Sequence, residues 1–240
     1  MISSEMIGWL DGSALLFSEK ILKLANDMRG WIPALLQATG VTLSLTVVAV
    51  SCGLILSLFL ALAKISKSKV LQRLSGAYIF FFRGTPLLMQ LFFIYYALPQ
   101  ISPALTIESR FIAAWIAYSL NSAAYLAEII RAAIQSIDKG QLEASRALGM
   151  SYGRAMRLVI IPQSIRRLIP PVGNEFIMVI KDTSLVSMIA LVDLMKKTMQ
   201  IQSSSASPLV FIPAAAIYLI ITAVFTLVFN KLEKKFSVYE

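Results

Sequence analysis

Long apolar stretches alternate along the chain with short basic connections. Residues 30–63 carry no charge and predict a first membrane span at about 39–63. A bilayer's hydrocarbon core, about 30 Å thick, takes about 20 mostly apolar residues as helix. Three more stretches meet that length: 77–98, with Arg83 in its first two turns; 111–130, with Glu128 near one end; and 209–229. A fifth, 169–191, contains Glu175, Lys181 and Asp182 and reads as a polar, bent span. The pattern predicts an all-α integral membrane protein with five transmembrane helices. Before the first span, Leu10, Ala14, Phe17, Ile21, Leu24 and Met28 recur at steps of four and three with Asp11, Glu19, Lys20 and Asp27 between them. That spacing predicts an amphipathic segment over residues 1–34, lying in the membrane interface or packed against the protein.

Basic residues orient the spans. Fourteen fall in the loop after span one, the loop after span three and the tail at 233–240 with its approach; six fall on the opposite side. Since Lys and Arg mark cytoplasmic loops, the N-terminus is expected outside and the C-terminus in the cytoplasm.

Composition narrows the chemistry. Of 240 residues, 58% are hydrophobic and 15% charged, and in a membrane protein a net charge of +9 marks cytoplasmic loops, so nucleic acid is not an expected partner. There is no histidine and a single cysteine, Cys52. An internal disulfide, a Cys/His zinc site and a histidine-dependent triad are therefore excluded. None of the 11 glycines precedes a lysine, so there is no phosphate-binding GK[ST] loop.

The long connection after span three carries local signals. Asp138 and Gln141 are spaced as a capping box, and Gly149 stands where a helix would end. Ser151 is placed to cap a second helix, and Pro162 to stop it. The segment 138–162 thus reads as a helix–glycine–helix element, either a docking surface or a plain hairpin between spans.

Glu143-Ala144-Ser145, three residues, Gly149, nine residues and Val159-Ile160-Ile161-Pro162 resemble the EAA loop of ABC-transporter permeases. Ser145, Val159 and Ile161 depart from that pattern while keeping size and character. Arg83-Gly84-Thr85-Pro86-Leu87-Leu88, Ala127-Glu128-Ile129, Gly173-Asn174-Glu175-Phe176 and Lys181-Asp182-Thr183-Ser184-Leu185 resemble the polar amino-acid branch, which includes histidine, arginine, glutamine, glutamate and cystine permeases. The resemblance covers about residues 35–232. It implies a type I ABC importer permease fold in a prokaryotic cytoplasmic (inner) membrane. It also implies two ATPase subunits holding ATP and Mg, a second permease copy or paralogue, and an extracytoplasmic amino-acid-binding protein. No cofactor or metal is expected on this chain. Glu143, Ala144, Ser145 and Gly149 would couple to the ATPase.

Polar residues within spans are costly in lipid and face a cavity or a partner. In span three Tyr118, Asn121, Tyr125 and Glu128 form one stripe, with Ser122 beside it. In span four Glu175 and Asp182 share a face, followed by Thr183 and Ser184. With Gln90 and Lys181 they are candidates for the substrate path, the alternatives being interhelical hydrogen bonds, a Lys181–Asp182 pair, or contacts to a second subunit. Gly84 and Pro86 are expected to kink span two, Arg83 to anchor it with Gln90 on the same face, and Glu128 to pair with Arg83 or Arg131. A self-contained ion-coupled carrier is the competing reading; the absence of an internal repeat disfavours it. An intramembrane enzyme lacks the residues it would need.

Overall fold

The computed structural model describes the backbone of residues 4–236 and the side chains of Glu19, Leu22, Lys23 and 25–236. Among the described residues every element is helical: α1 (Ser4–Ile65), α2 (Lys69–Gly84), α3 (Leu87–Ile101, with a π turn at Phe93–Ala97), α4 (Arg110–Gln135), α5 (Lys139–Ala147), α6 (Ile161–Asp182), α7 (Leu194–Ser205) and α8 (Phe211–Phe236). Three short 3-10 turns, Pro103–Leu105, Thr183–Ile189 and Pro208–Val210, lie between them.

Among the described residues two helices are long and apolar enough to cross a membrane alone, Ala25–Ile65 and Pro208–Phe236. The expected span at 77–98 is not one helix. Thr85 and Pro86 are both extended, with ψ of 145° and 135°, and α2 meets α3 at 101°. Pro86 opens α3, where its missing N–H costs nothing. What reads in sequence as a kink is a full break. The spans expected at 111–130 and 169–191 fall on α4 and α6. The second is displaced, because α6 begins at Ile161 and stops at Asp182, where the chain tightens into the 3-10 turn.

No backbone break marks the boundary near residue 34. The helix passes through Gly30 and Pro33, and its 62 residues extend about 93 Å at 1.5 Å per residue. The side chains of Leu10, Ala14, Phe17, Ile21 and Leu24, on which the amphipathic reading depends, lie outside the described residues, as do residues 237–240.

In lipid, helices associate through close packing and polar contacts, because lipid tails are as apolar as leucine. α4 shows why its alanines matter. Ala113, Ala114, Ala117, Ala123, Ala124 and Ala127 are buried, and α1 makes its most extensive contact there. At Gly53 the two helices pack closely: a Cβ on it would lie 3.1 Å from Ser122 Cβ and 3.2 Å from the Ala123 nitrogen. Interhelical hydrogen bonds fix the rest. Ser75 donates to the Leu60 carbonyl at 2.7 Å and Tyr78 to the Leu120 carbonyl at 2.8 Å. The Leu194 N–H donates to Thr42 Oγ1 at 3.3 Å.

Candidate functional site

A cavity of about 310 Å³ opens where the α2–α3 break faces α4 and α6. Its lining includes Arg83, Gly84, Thr85 and Pro86 from the break, Tyr118, Asn121 and Tyr125 from α4, and Glu175, Met178 and Asp182 from α6. The α4 stripe and the two α6 carboxylates therefore converge on one space. Helical spacing explains it: residues three and four apart on α4, and seven apart on α6, present one face.

The walls are held by bonds that the same residues make. The Tyr118 hydroxyl, almost wholly buried, donates to the Asp182 backbone carbonyl at 2.6 Å, where α6 gives way to the 3-10 turn. Thr183, fully buried, donates to the Ile180 carbonyl. Ser122 sits behind the cavity and donates to Glu175 Oε1 at 3.0 Å. Asn121 Nδ2 donates to the Phe82 carbonyl at 3.1 Å and to Gln90 Oε1 at 3.0 Å.

Gln90 has a different place from the one its spacing suggests. It does not share a helix face with Arg83, because the break intervenes. Buried outside the lining, it turns Nε2 onto the Phe82 carbonyl, the Thr85 carbonyl and Thr85 Oγ1 at 2.9, 3.0 and 2.8 Å. It thereby satisfies carbonyls that the end of α2 leaves without helical partners. Lys181 is exposed and outside the cavity, and Ser184 is also absent from the lining. Thr85 and Met178 are lining residues the sequence reading missed. Thr85 was signalled by its place between Gly84 and Pro86; Met178 lies three residues from Glu175 and four from Asp182, on their face.

A second, wider space of about 790 Å³ adjoins the first. Lys64, Gly76, Ile79, Phe80, Glu128, Arg131 and Gln135 line it, together with Arg83, Gly84 and Tyr125, which it shares with the cavity. Glu128 pairs with Arg131, whose Nε and Nη2 both donate to Oε2, at 2.9 and 2.6 Å. Arg83 lies over the Tyr125 ring, its guanidinium carbon 5.2 Å from the centroid.

The hairpin begins with Asp138, which accepts from the Gly140 N–H at 2.7 Å. The full capping box does not form: Gln141 instead accepts from Gln163 at 3.3 Å, tying the two arms. Gly149 ends α5 at φ +80°, the Gly149 N–H reaching the Arg146 carbonyl and the Met150 N–H that of Ser145. This is the Schellman arrangement, in which a left-handed residue is normally glycine. Glu143, Ala144 and Gly149 are exposed, whereas Ser145 is buried and donates to the Gln141 carbonyl. The Ser151 hydroxyl makes no capping bond.

Pro162 does not stop the second arm. The turn Tyr152–Ala155 passes through a π turn at Met156–Ile160 directly into α6. A proline ring collides with the carbonyl four residues back, here Leu158, and widening the helix at that point relieves the clash. Leu148, Tyr152 and Leu158 stand out from the hairpin, 81%, 59% and 60% exposed.

Residues 53–238 match the family described as the inner membrane component of binding-protein-dependent transport systems. A probable amino-acid permease of Bacillus subtilis, YxeN, is 40% identical over 85% of this chain and 92% of its own. The nopaline transport system permease NocM of Agrobacterium fabrum is 42% identical over 80% and 83%, and the B. subtilis arginine transport system permease ArtQ 40% over 85% and 93%. The crystal structure of an amino acid ABC transporter with histidines superposes with a TM-score of 0.81 at 42% identity, covering 87% of this chain and 96% of that one. The MetNI methionine ABC transporter, at 18% identity and a TM-score of 0.71, shares the fold.

Proposed function

Because the chain belongs to the family of inner membrane components of binding-protein-dependent transport systems, we propose that it is the permease subunit of an importer for an amino acid. The relatives' names favour this over an ion-coupled carrier. In this reading an extracytoplasmic binding protein delivers the amino acid. Two ATPase subunits hold ATP and Mg and supply the work, and a second permease copy or paralogue completes the pathway. The chain crosses the inner membrane of a prokaryote five times, N-terminus outside and C-terminus inside.

One observation carries the mechanism. The second arm of the hairpin is continuous with α6, whose far end brings Glu175 and Asp182 to the cavity. The 22 residues of α6 form a lever of about 33 Å. Force applied by the ATPase at Glu143, Ala144 and Gly149 passes along it to the amino-acid path. Asn121, Tyr118, Tyr125, Glu175 and Asp182 line that path. Ser122, Gln90 and Thr183 brace its wall, and Ser145 braces the hairpin from within.

Cysteine placed at Leu148 in the assembled transporter tests the docking directly. Crosslinking to the ATPase subunit at a rate that changes between nucleotide-free and ATP-bound complex supports it; no crosslink in either state removes it.

A further inference from the structure

Arg83 and Tyr125 belong to both linings, the 310 Å³ cavity and the 790 Å³ cleft. They come from different elements, Arg83 from the last turn of α2 and Tyr125 from α4, and they are stacked on each other. We infer that this stack is an inner gate, a movable partition that separates the cavity from the cleft. The inference rests on the reading that cavity and cleft are successive stages of one path.

Three features fit a gate better than a fixed strut. First, a guanidinium over a ring is a contact of moderate strength, about 0.5–2 kcal/mol depending on solvation, which the work of transport can break and remake. Second, Arg83 stands immediately before the 101° break, and the angle there is set by Gln90 and Asn121 from α3 and α4. A change in that angle carries Arg83 across the face of Tyr125. Third, the cleft offers Arg83 a second partner. Glu128 lies on the same α4 face as Tyr125, one turn on, and its pair with Arg131 uses Oε2 alone. The closed state thus has Arg83 on the ring, and the open state has it beside Glu128, so neither state strands the charge in an apolar setting.

Access measured by thiol labelling tests this without requiring transport. Cysteine is placed at Leu87, which lines the cavity but not the cleft, in the assembled transporter with Cys52→Ala. A companion protein carries Gln135→Cys, an exposed cleft residue, to identify the side on which the cleft opens. A membrane-impermeant maleimide is added to that side. Labelling at Leu87→Cys should be slow, and either Arg83→Gln or Tyr125→Leu should speed it about tenfold, as expected for losing about 1.4 kcal/mol of closure. Tyr125→Phe, which keeps the ring face, should remain slow. The gate is overturned if neither Arg83→Gln nor Tyr125→Leu speeds labelling, or if Tyr125→Phe opens it equally. Fast labelling in Arg83→Gln and Tyr125→Leu together with no ATP-driven uptake by the parent complex would support the partition while removing the importer reading.

Discussion

The hydroxyl of Tyr118 and the backbone carbonyl of Asp182, 64 residues apart in sequence, lie 2.6 Å from each other. The bond fastens the middle of α4 to the point where α6 ends. It leaves the Asp182 carboxylate separate, as part of the cavity lining. One residue therefore carries a structural contact on its backbone and a cavity charge on its side chain, and the two can be removed independently.

Tyr118→Phe should lower the stability of the purified complex by about 1–2 kcal/mol, the cost of leaving a buried carbonyl without its donor. Thermal unfolding in a fixed detergent reads this. Asp182→Ala should leave stability nearly unchanged and raise the KM for uptake. The opposite assignment, stability lost with Asp182→Ala and transport altered alone by Tyr118→Phe, would contradict the geometry.

Gln90 and Asn121 donate to the same Phe82 carbonyl and bond each other at 3.0 Å. Such shared partners make substitutions non-additive. Gln90→Ala and Asn121→Ala, singly and together, should show a coupling of about 0.5–1.5 kcal/mol in thermal stability. Simple additivity would mean that the break is held open by something else.

At Gly149 the strain is conformational, not steric, since a Cβ there meets nothing within 4 Å and φ is +80°. Gly149→Asn should be tolerated, Gly149→Ala should cost about 1 kcal/mol, and Gly149→Val more. The β-branched variant, and Glu143→Lys beside it, should leave the protein in the membrane while ATP hydrolysis ceases to drive uptake. Measuring both rates on one preparation checks the claim; coupled transport at the parent ratio in both variants would defeat it.

Gly53 poses the opposite case. A Cβ added there would lie 3.1–3.2 Å from Ser122 and Ala123, so a side chain must push α1 from α4. Gly53→Val should destabilise by about 1–3 kcal/mol, the range for overpacking. Because Ser122 braces Glu175, uptake should fall as well. Native stability in Gly53→Val would show that the two helices are not in close contact in the membrane.

Much of this arrangement is legible in the sequence where one residue type answers a local demand. Gly149 at the end of a short helix and the 3–4 spacing of Tyr118, Asn121 and Tyr125 each follow from helix geometry. What the sequence obscures depends on neighbours distant along the chain. Pro86 and Pro162 both read as interruptions. One ends a helix with a 101° turn, because Gln90 and Asn121 take up the freed carbonyls; the other is absorbed by a π turn, and the helix goes on. Gln90 shares a face with Arg83 only if residues 83–90 form one helix, and the break at Thr85–Pro86 removes that condition. Lys181, polar and adjacent to Asp182, turns outward because α6 has one side toward the cavity and Glu175 and Asp182 occupy it.

The central claim is that this chain provides a conduit and that a partner provides the work. Reconstituting it in sealed vesicles, alone and with its ATPase subunit and binding protein, measures that claim most directly. Amino-acid uptake should require all three proteins and ATP, and should vanish for the chain alone whatever ion gradient is imposed. Gradient-driven uptake by the isolated chain would contradict the account.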